Sequence, residues 1–267
     1  MSEQLGFIGT GNITTAMVEG LCTADSPPVT IVVSPRNAVK ASKLSQRFSQ
    51  VRIAASNQEV IDTCDTVFLA TLPQTATSTL ADLQFRPNQT IISLVAAKSI
   101  GEIHKLVEPA KNVIRAIPLP PVAQHLGPIL LYPENQEVIS IFNKVGKPLA
   151  VATEQQFNLL TTVTALIGPF YALIDETTRW ATAAGVDQQI AASYISAMFN
   201  ALSVLALDVP DGKFSVLVTE ASSPGGLNEQ ALEVVRKHGG YDAFKEALDA
   251  IAVRMGETPP SAQSGNR

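Results

Sequence analysis

Leu5-Gly6-Phe7-Ile8-Gly9-Thr10-Gly11-Asn12-Ile13-Thr14 reads as a short buried strand, a glycine turn and the opening of a helix. Gly9 permits a tight turn that a Cβ would obstruct, and Gly11 lets a pyrophosphate approach the backbone closely. The helix expected from Asn12 to about Leu21 directs unpaired N–H groups and its positive dipole end at that phosphate. Thr14 stands where the dinucleotide fingerprint carries a third glycine. The motif is therefore incomplete, and a glycine turn that binds nothing is the competing reading.

The next strand narrows the choice. Val29-Thr30-Ile31-Val32-Val33 is β-branched throughout, as suits a parallel strand buried on both faces. It ends in Ser34-Pro35-Arg36-Asn37, about 25 residues after the glycines, where a dinucleotide fold reads the ribose. No acid lies between Ser34 and Ser49 to accept from a 2′-hydroxyl. Ser34 and Arg36 offer a hydroxyl and a guanidinium instead, which suit a 2′-phosphate and so NADP over NAD. A solvated loop charge is the competing account of Arg36, and the glycine turn upstream favours the NADP reading.

The 267 residues are 46% hydrophobic and 16% charged, enough for one large core or two smaller ones. A net charge of −5 without a basic run argues against a nucleic-acid partner. Cys22 and Cys64 lie in apolar neighbourhoods without metal-ligand spacing and read as buried thiols in a reducing compartment; no metal is expected. The N-terminus enters the first strand at once, leaving no room for a signal peptide, and no apolar run reaches membrane-spanning length. The expectation is a soluble, cytoplasmic protein with no membrane partner.

Strand and helix alternate over residues 1–152. Strand candidates are 51–54, 66–71, 89–95, 112–117, 127–132 and about 149–152. Helices run from Gln58 to about Thr63 with Asn57 as cap, from Ala76 to Leu83, and onward from Ser99. Residues 153–256 are helical throughout, broken at Gly168-Pro169, Gly185, Asp211-Gly212 and Pro224-Gly225-Gly226. Ile190 to Leu207 is apolar on nearly every face, so it needs cover on all sides and points to a subunit interface. The tail 257–267 reads as disordered. The fold class is α/β: a doubly wound Rossmann sheet followed by an all-helical domain.

Taken together, these stretches resemble the pyrroline-5-carboxylate reductase family from end to end, apart from the tail. The carriers are Gly6 to Asn12, Val33 to Arg36, Ala55 to Asn57, Val67 to Ala70 with Pro73-Gln74, Ile92 to Ala96, Arg115 to Pro118, Thr162 to Leu166 and Ser223 to Gly226. The resemblance implies a Rossmann domain, a helical dimerisation domain, an active site at their junction, and a homodimer or larger assembly. It implies hydride transfer from NADPH to the C=N bond of a cyclic imine, a small-molecule substrate of the pyrroline-5-carboxylate type. Cofactor contacts then fall on Gly9, Thr10, Gly11, Asn12, Ile13, Ser34, Arg36, Asn57, Ala70, Leu72, Pro73, Ala96, Ala97 and Pro118.

The substrate half departs from the family pattern. Ile117-Pro118-Leu119-Pro120-Pro121 lacks the family's amide and hydroxyl, and the turn before Phe170-Tyr171 is shortened to Ile167-Gly168-Pro169. Leu227 and Asn228 follow Gly226 where the family carries a substrate-binding threonine. Substrate contacts are expected at Gly168, Gly225, Gly226, Leu227 and Asn228. Asn228 either orients the ring nitrogen or caps its helix, and Tyr171 either reaches the substrate or packs in the core. Asp175 and Glu176 are substrate-side acids or solvated ones, and His125 is a further candidate proton donor. A hydroxyacid dehydrogenase on the same plan would need a helical-domain lysine, and none occurs between Lys147 and Lys213. A non-catalytic NADP-binding paralogue is the remaining alternative.

Overall fold

The computed structural model describes residues 4–263. The chain divides into two compact units between Thr161 and Thr162.

The first unit is built on an eight-stranded sheet. Its strands are β1 (Gln4–Ile8), β2 (Thr30–Val33), β3 (Val51–Ile53), β4 (Thr66–Leu69), β5 (Thr90–Ser93), β6 (Asn112–Pro118), β7 (Pro128–Tyr132) and β8 (Lys147–Ala150). The spatial order is β3-β2-β1-β4-β5-β6-β7-β8. The first six are parallel, because each step between them passes through a helix or crosses over the sheet. β7 is antiparallel to β6. The prolines after Pro118 form a 3-10 turn, Pro120–Gln124, which reverses the chain without a crossover helix.

The helices are α1 (Asn12–Thr23), α2 (Ala38–Arg47), α3 (Asn57–Thr63), α4 (Pro73–Leu80), α5 (Ile100–Leu106) and α6 (Gln136–Phe142), and α7 (Glu154–Val163) opens here as well. They cover two apolar clusters, one on each face of the sheet. On one face Phe7 and Phe68 stack with centroids 4.4 Å apart, and Phe142 meets Phe68 edge-on. Ser99 opens α5 with a full capping box, its hydroxyl accepting from Glu102 and the Glu102 carboxylate accepting from Ser99 N–H. At α3 the cap is Ser56, which accepts from Glu59 N–H. Asn57 is instead the first helical residue, because the hydroxyl one residue earlier reaches that amide first.

Arg115 on β6 is fully buried. Its guanidinium donates to Glu154 Oε1 at 2.7 Å and Asn158 Oδ1 at 2.9 Å and lies over the Phe157 ring. Glu154 Oε1 also accepts from Ile100 N–H at 2.6 Å. The opening turns of α7 therefore belong to the sheet unit, and the division falls nine residues beyond the expected boundary at 152.

The second unit contains α8 (Ile167–Ala183), α9 (Gln188–Leu207), α10 (Ser215–Ala221), α11 (Leu227–Lys237), α12 (Gly240–Arg254) and α13 (Pro260–Gln263). Gly168-Pro169 does not break a helix. The irregularity is a 3-10 turn at Thr164–Leu166, and Pro169 sits in the first turn of α8, where a missing N–H costs little. Part of the tail expected to be disordered forms α13, while 264–267 lie outside the described residues.

The expectation that no apolar run reaches membrane-spanning length is overturned. Glu154–Ala183 and Gln188–Leu207 are long and apolar enough to cross a membrane by length and composition, with mean hydropathy 1.6 and 1.7. The 3-10 turn joins α7 to α8 almost without interruption. The charges of α8 also fall within one helical turn, where Arg179 pairs with Asp175 at 2.7 Å and Glu176 at 3.3 Å.

Two measurements test this packing. Glu154→Gln leaves the buried guanidinium without its carboxylate and should lower stability to urea by about 2–3 kcal/mol, below the range for a fully buried pair because Glu154 is partly exposed. Desolvation pushes the Cys22 thiol up to about 11 and raises Cys64 as well. Both thiols then stay protonated at pH 8, so iodoacetamide should alkylate them slowly in the folded protein and quickly in urea.

Candidate functional site

The chain leaves β1 toward β2 on one side and later returns to β4 on the other, so the order of strands reverses between β1 and β4. A crevice for a ligand forms outside the carboxyl ends of strands at such a reversal. Gly9 follows β1 there, and Ala70 and Thr71 follow β4.

Gly9 has φ +99°, and a Cβ on it would lie 2.5 Å from the Ala70 carbonyl oxygen. No other residue type fits both that conformation and that approach. The turn is fastened on three sides. Gly9 N–H donates to Ser34 Oγ at 2.9 Å, and Thr10 Oγ1 donates to the Ser34 carbonyl at 2.7 Å. Thr14 Oγ1 donates to the Gly9 carbonyl at 2.6 Å. Thr14 is fully buried, so the residue that spoiled the glycine fingerprint is a staple across the same turn.

These contacts leave the cradle open on the ligand side. A Cβ on Gly11 would meet nothing within 4 Å, and no side chain caps α1. The amides of Asn12 and Ile13 thus open a helix free to take a phosphate. The Thr71 hydroxyl is buried without a hydrogen-bond partner at the end of β4. An open anion cradle beside an orphaned hydroxyl fits a dinucleotide pyrophosphate.

Ser34 and Arg36 part company. Ser34 is fully buried and its hydroxyl accepts from Gly9, which corrects the expectation that it meets a 2′-phosphate. Arg36 is exposed, with only a 3.4 Å contact to Thr79 Oγ1. Lys40, which the sequence reading missed, donates to Asn12 Oδ1 from the first turn of α2, whose cap is Asn37. Its position four residues after Arg36, on the helix leaving the same loop, was the available signal. The site thus carries two cations and no acid at the end of β2.

The remaining cofactor candidates line the carboxyl ends of successive strands. Asn57 opens α3 after β3; Leu72, which is exposed, and Pro73 open α4 after β4. Ala96 and Ala97 are exposed beyond β5, with Ala97 at φ +56°, and buried Pro118 ends β6. His125 is already engaged: its Nε2 lies 2.9 Å from the Gly20 carbonyl and 3.2 Å from Thr23 Oγ1, tying the end of α1. That replaces the proton-donor expectation.

The substrate candidates lie in the second unit. Gly168 and Tyr171 are exposed on the first turns of α8, and Tyr171 touches Phe170. Tyr171 is therefore not a core residue of the single chain. Asp175 and Glu176 are exposed partners of Arg179. Asn228 does not cap α11; its amide donates to the Ala221 carbonyl at 2.9 Å and ties α11 to the end of α10. Gly225 N–H donates to Glu229 Oε2 at 2.7 Å and Gly226 N–H to the Ser223 carbonyl at 2.8 Å. Leu227 is 84% exposed.

Residues 4–97 match the family model described as NADP oxidoreductase coenzyme F420-dependent, and residues 154–258 match that for pyrroline-5-carboxylate reductase dimerisation. A pyrroline-5-carboxylate reductase of Pseudomonas aeruginosa is 25% identical over 269 residues, covering 96% of this chain and 97% of that one. The fold is shared with the Plasmodium falciparum pyrroline carboxylate reductase solved with NADP bound, at TM-score 0.82 and 17% identity over 95% and 97% of the two chains. It is shared equally with 1-pyrroline-5-carboxylate reductase from Streptococcus pyogenes, at TM-score 0.82 and 20% identity over 94% and 97%.

The Thr14 staple can be tested directly. Thr14→Val leaves the Gly9 carbonyl without its donor and should destabilise the protein by about 1–2 kcal/mol in urea, with a matching loss of dinucleotide affinity by fluorescence titration.

Proposed function

We infer the function from one premise: the chain belongs to the pyrroline-5-carboxylate reductase family. It is an NADPH-dependent oxidoreductase acting on the CH–NH group, and it reduces the C=N bond of a cyclic imine. The observation that carries this reading is the stapled glycine turn at the β1/β4 reversal, with Arg36 and Lys40 beside it and no acid at the end of β2.

NADPH supplies the hydride when bound. The chain supplies the cradle: the Gly9–Gly11 turn and the opening amides of α1 hold the pyrophosphate, and Thr10 acts by anchoring the turn to Ser34. Arg36 and Lys40 would hold the 2′-phosphate as neighbouring cations. Ala70, Leu72, Pro73, Ala96, Ala97 and Pro118 border the rest of the dinucleotide at the strand ends. An imine that enters protonated needs no acid from the protein, and Tyr171 and Asn228 are the candidates for orienting it.

The same reading makes the second unit a subunit interface. Tyr194, Leu202, Leu205 and Leu207 on α9 and Trp180 on α8 are exposed in the single chain, and a second copy packing against this surface would cover it, giving a homodimer or a multiple of one. The two long apolar helices are thereby accounted for without a membrane. The cytoplasm, where NADPH is held reduced, is the compartment that suits such an enzyme.

Purified protein should oxidise NADPH in the presence of a cyclic imine at about 1–1,000 turnovers per second. Binding without turnover on any imine or keto acid would favour a non-catalytic paralogue. Arg36→Ala should weaken NADPH binding about 10- to 100-fold and leave NADH binding unchanged. Unchanged NADPH affinity would remove Arg36 from the site. Sedimentation equilibrium should return at least twice the chain mass.

A further inference from the structure

Resting on the NADPH reading of the crevice, we propose that Thr71 is a further cofactor-binding residue, and that its hydroxyl donates to the nicotinamide half of the dinucleotide. Thr71 stands just beyond β4, at the strand reversal. Its backbone nitrogen lies 3.1 Å from where a Cβ on Gly9 would stand. It therefore belongs to the floor of the crevice, beside the glycine turn.

The threonine hydroxyls around the turn divide into two kinds. Thr10 Oγ1 donates to the Ser34 carbonyl at 2.7 Å, Thr14 Oγ1 to the Gly9 carbonyl at 2.6 Å and Thr15 Oγ1 to the Gly11 carbonyl at 2.9 Å. Thr75 Oγ1 donates to the Leu72 carbonyl at 3.3 Å. Each of these serves the fold. Thr71 Oγ1 is buried and has no hydrogen-bond partner. A buried hydroxyl without a partner costs stability, so this one gives the fold nothing that a methyl group would not. The residue as a whole is nonetheless partly exposed. Rotation about χ1 between staggered positions carries the oxygen from the packed side of the strand end to the open one.

The order of strand ends assigns the partner. Arg36 follows β2, the glycine turn follows β1, Thr71 follows β4 and Ala96 lies beyond β5, and these strands lie side by side in that order. With the 2′-phosphate at Arg36 and the pyrophosphate on the turn, the dinucleotide reaches Thr71 on the nicotinamide side. The ribose there offers hydroxyl oxygens and its phosphate offers anionic ones, and a threonine hydroxyl donates to either. The contact does not touch the 2′-phosphate, so Thr71 and Arg36 act on opposite halves of the cofactor.

The test titrates the full-length protein with NADPH and with 2′,5′-ADP, which carries the 2′-phosphate but lacks the nicotinamide half, and follows thermal unfolding without ligand. Thr71→Val keeps the side chain's shape and removes its hydroxyl. It should weaken NADPH binding about 5- to 10-fold, leave 2′,5′-ADP binding unchanged, and unfold without ligand at or above the melting temperature of wild type. Thr71→Ser should keep NADPH affinity within about 2-fold of wild type. Arg36→Ala, by contrast, should weaken both ligands. Unchanged NADPH affinity in Thr71→Val overturns the proposal. So does a loss that extends to 2′,5′-ADP or comes with a lowered melting temperature, since either marks damage to the turn. Wild type that binds neither ligand overturns the NADPH reading beneath it, and the proposal with it.

Discussion

The close approach of Gly9 to the Ala70 carbonyl is the constraint on which the first unit depends. It comes where the paired strands β1 and β4 end at the reversal, and it requires a left-handed turn only glycine adopts freely. Three hydrogen bonds then hold the turn, drawn from the end of β2 and from α1. The turn is rigid because its neighbours in sequence and in space both grip it. The same grip leaves the amides of α1 facing outward, so the element that closes the fold also opens the site.

Much of this was legible from residue order. β-branched runs marked the buried parallel strands, Ser99 and Glu102 marked a capping box, and the glycines marked the reversal. What escaped depended on direction rather than composition. Ser34 is a hydroxyl at the right distance from the glycines, yet its side chain turns inward to the Gly9 amide. Lys40 belongs to no motif, and only the placement of α2 brings it against Asn12. Thr14 counted as a defect in a motif because its hydrogen bond to Gly9 runs back along the chain. The β6–β7 antiparallel pairing likewise turned on a 3-10 reversal that a run of prolines announces only as a stop.

The second unit was harder to read for a different reason. Its helices are apolar beyond what one chain can cover, and Leu207 remains 80% exposed. Periodicity identifies a buried stripe when the burying partner lies in the same chain. Here apolarity on nearly every face says only that the surface calls for cover, and lipid and protein must be told apart by other means. Asn228 shows the same limit at the scale of one residue: its type suggested a cap or a catalyst, and its amide joins α10 to α11 rather than capping its helix.

The inward turn of Ser34 bears on how cofactor choice can change in this lineage. The end of β2 is the place where an acid would confer a preference for NAD. That place is taken by a group whose task is to hold Gly9, so an acid there would bring a buried charge into the joint of the fold. Arg36, proposed above as a phosphate reader, takes no part in holding the turn, so its loss would leave the turn intact without installing a reader for the unphosphorylated ribose. A shift in coenzyme would therefore need two coordinated substitutions, the first of them costly alone, so the joint that holds Gly9 also resists a change of coenzyme.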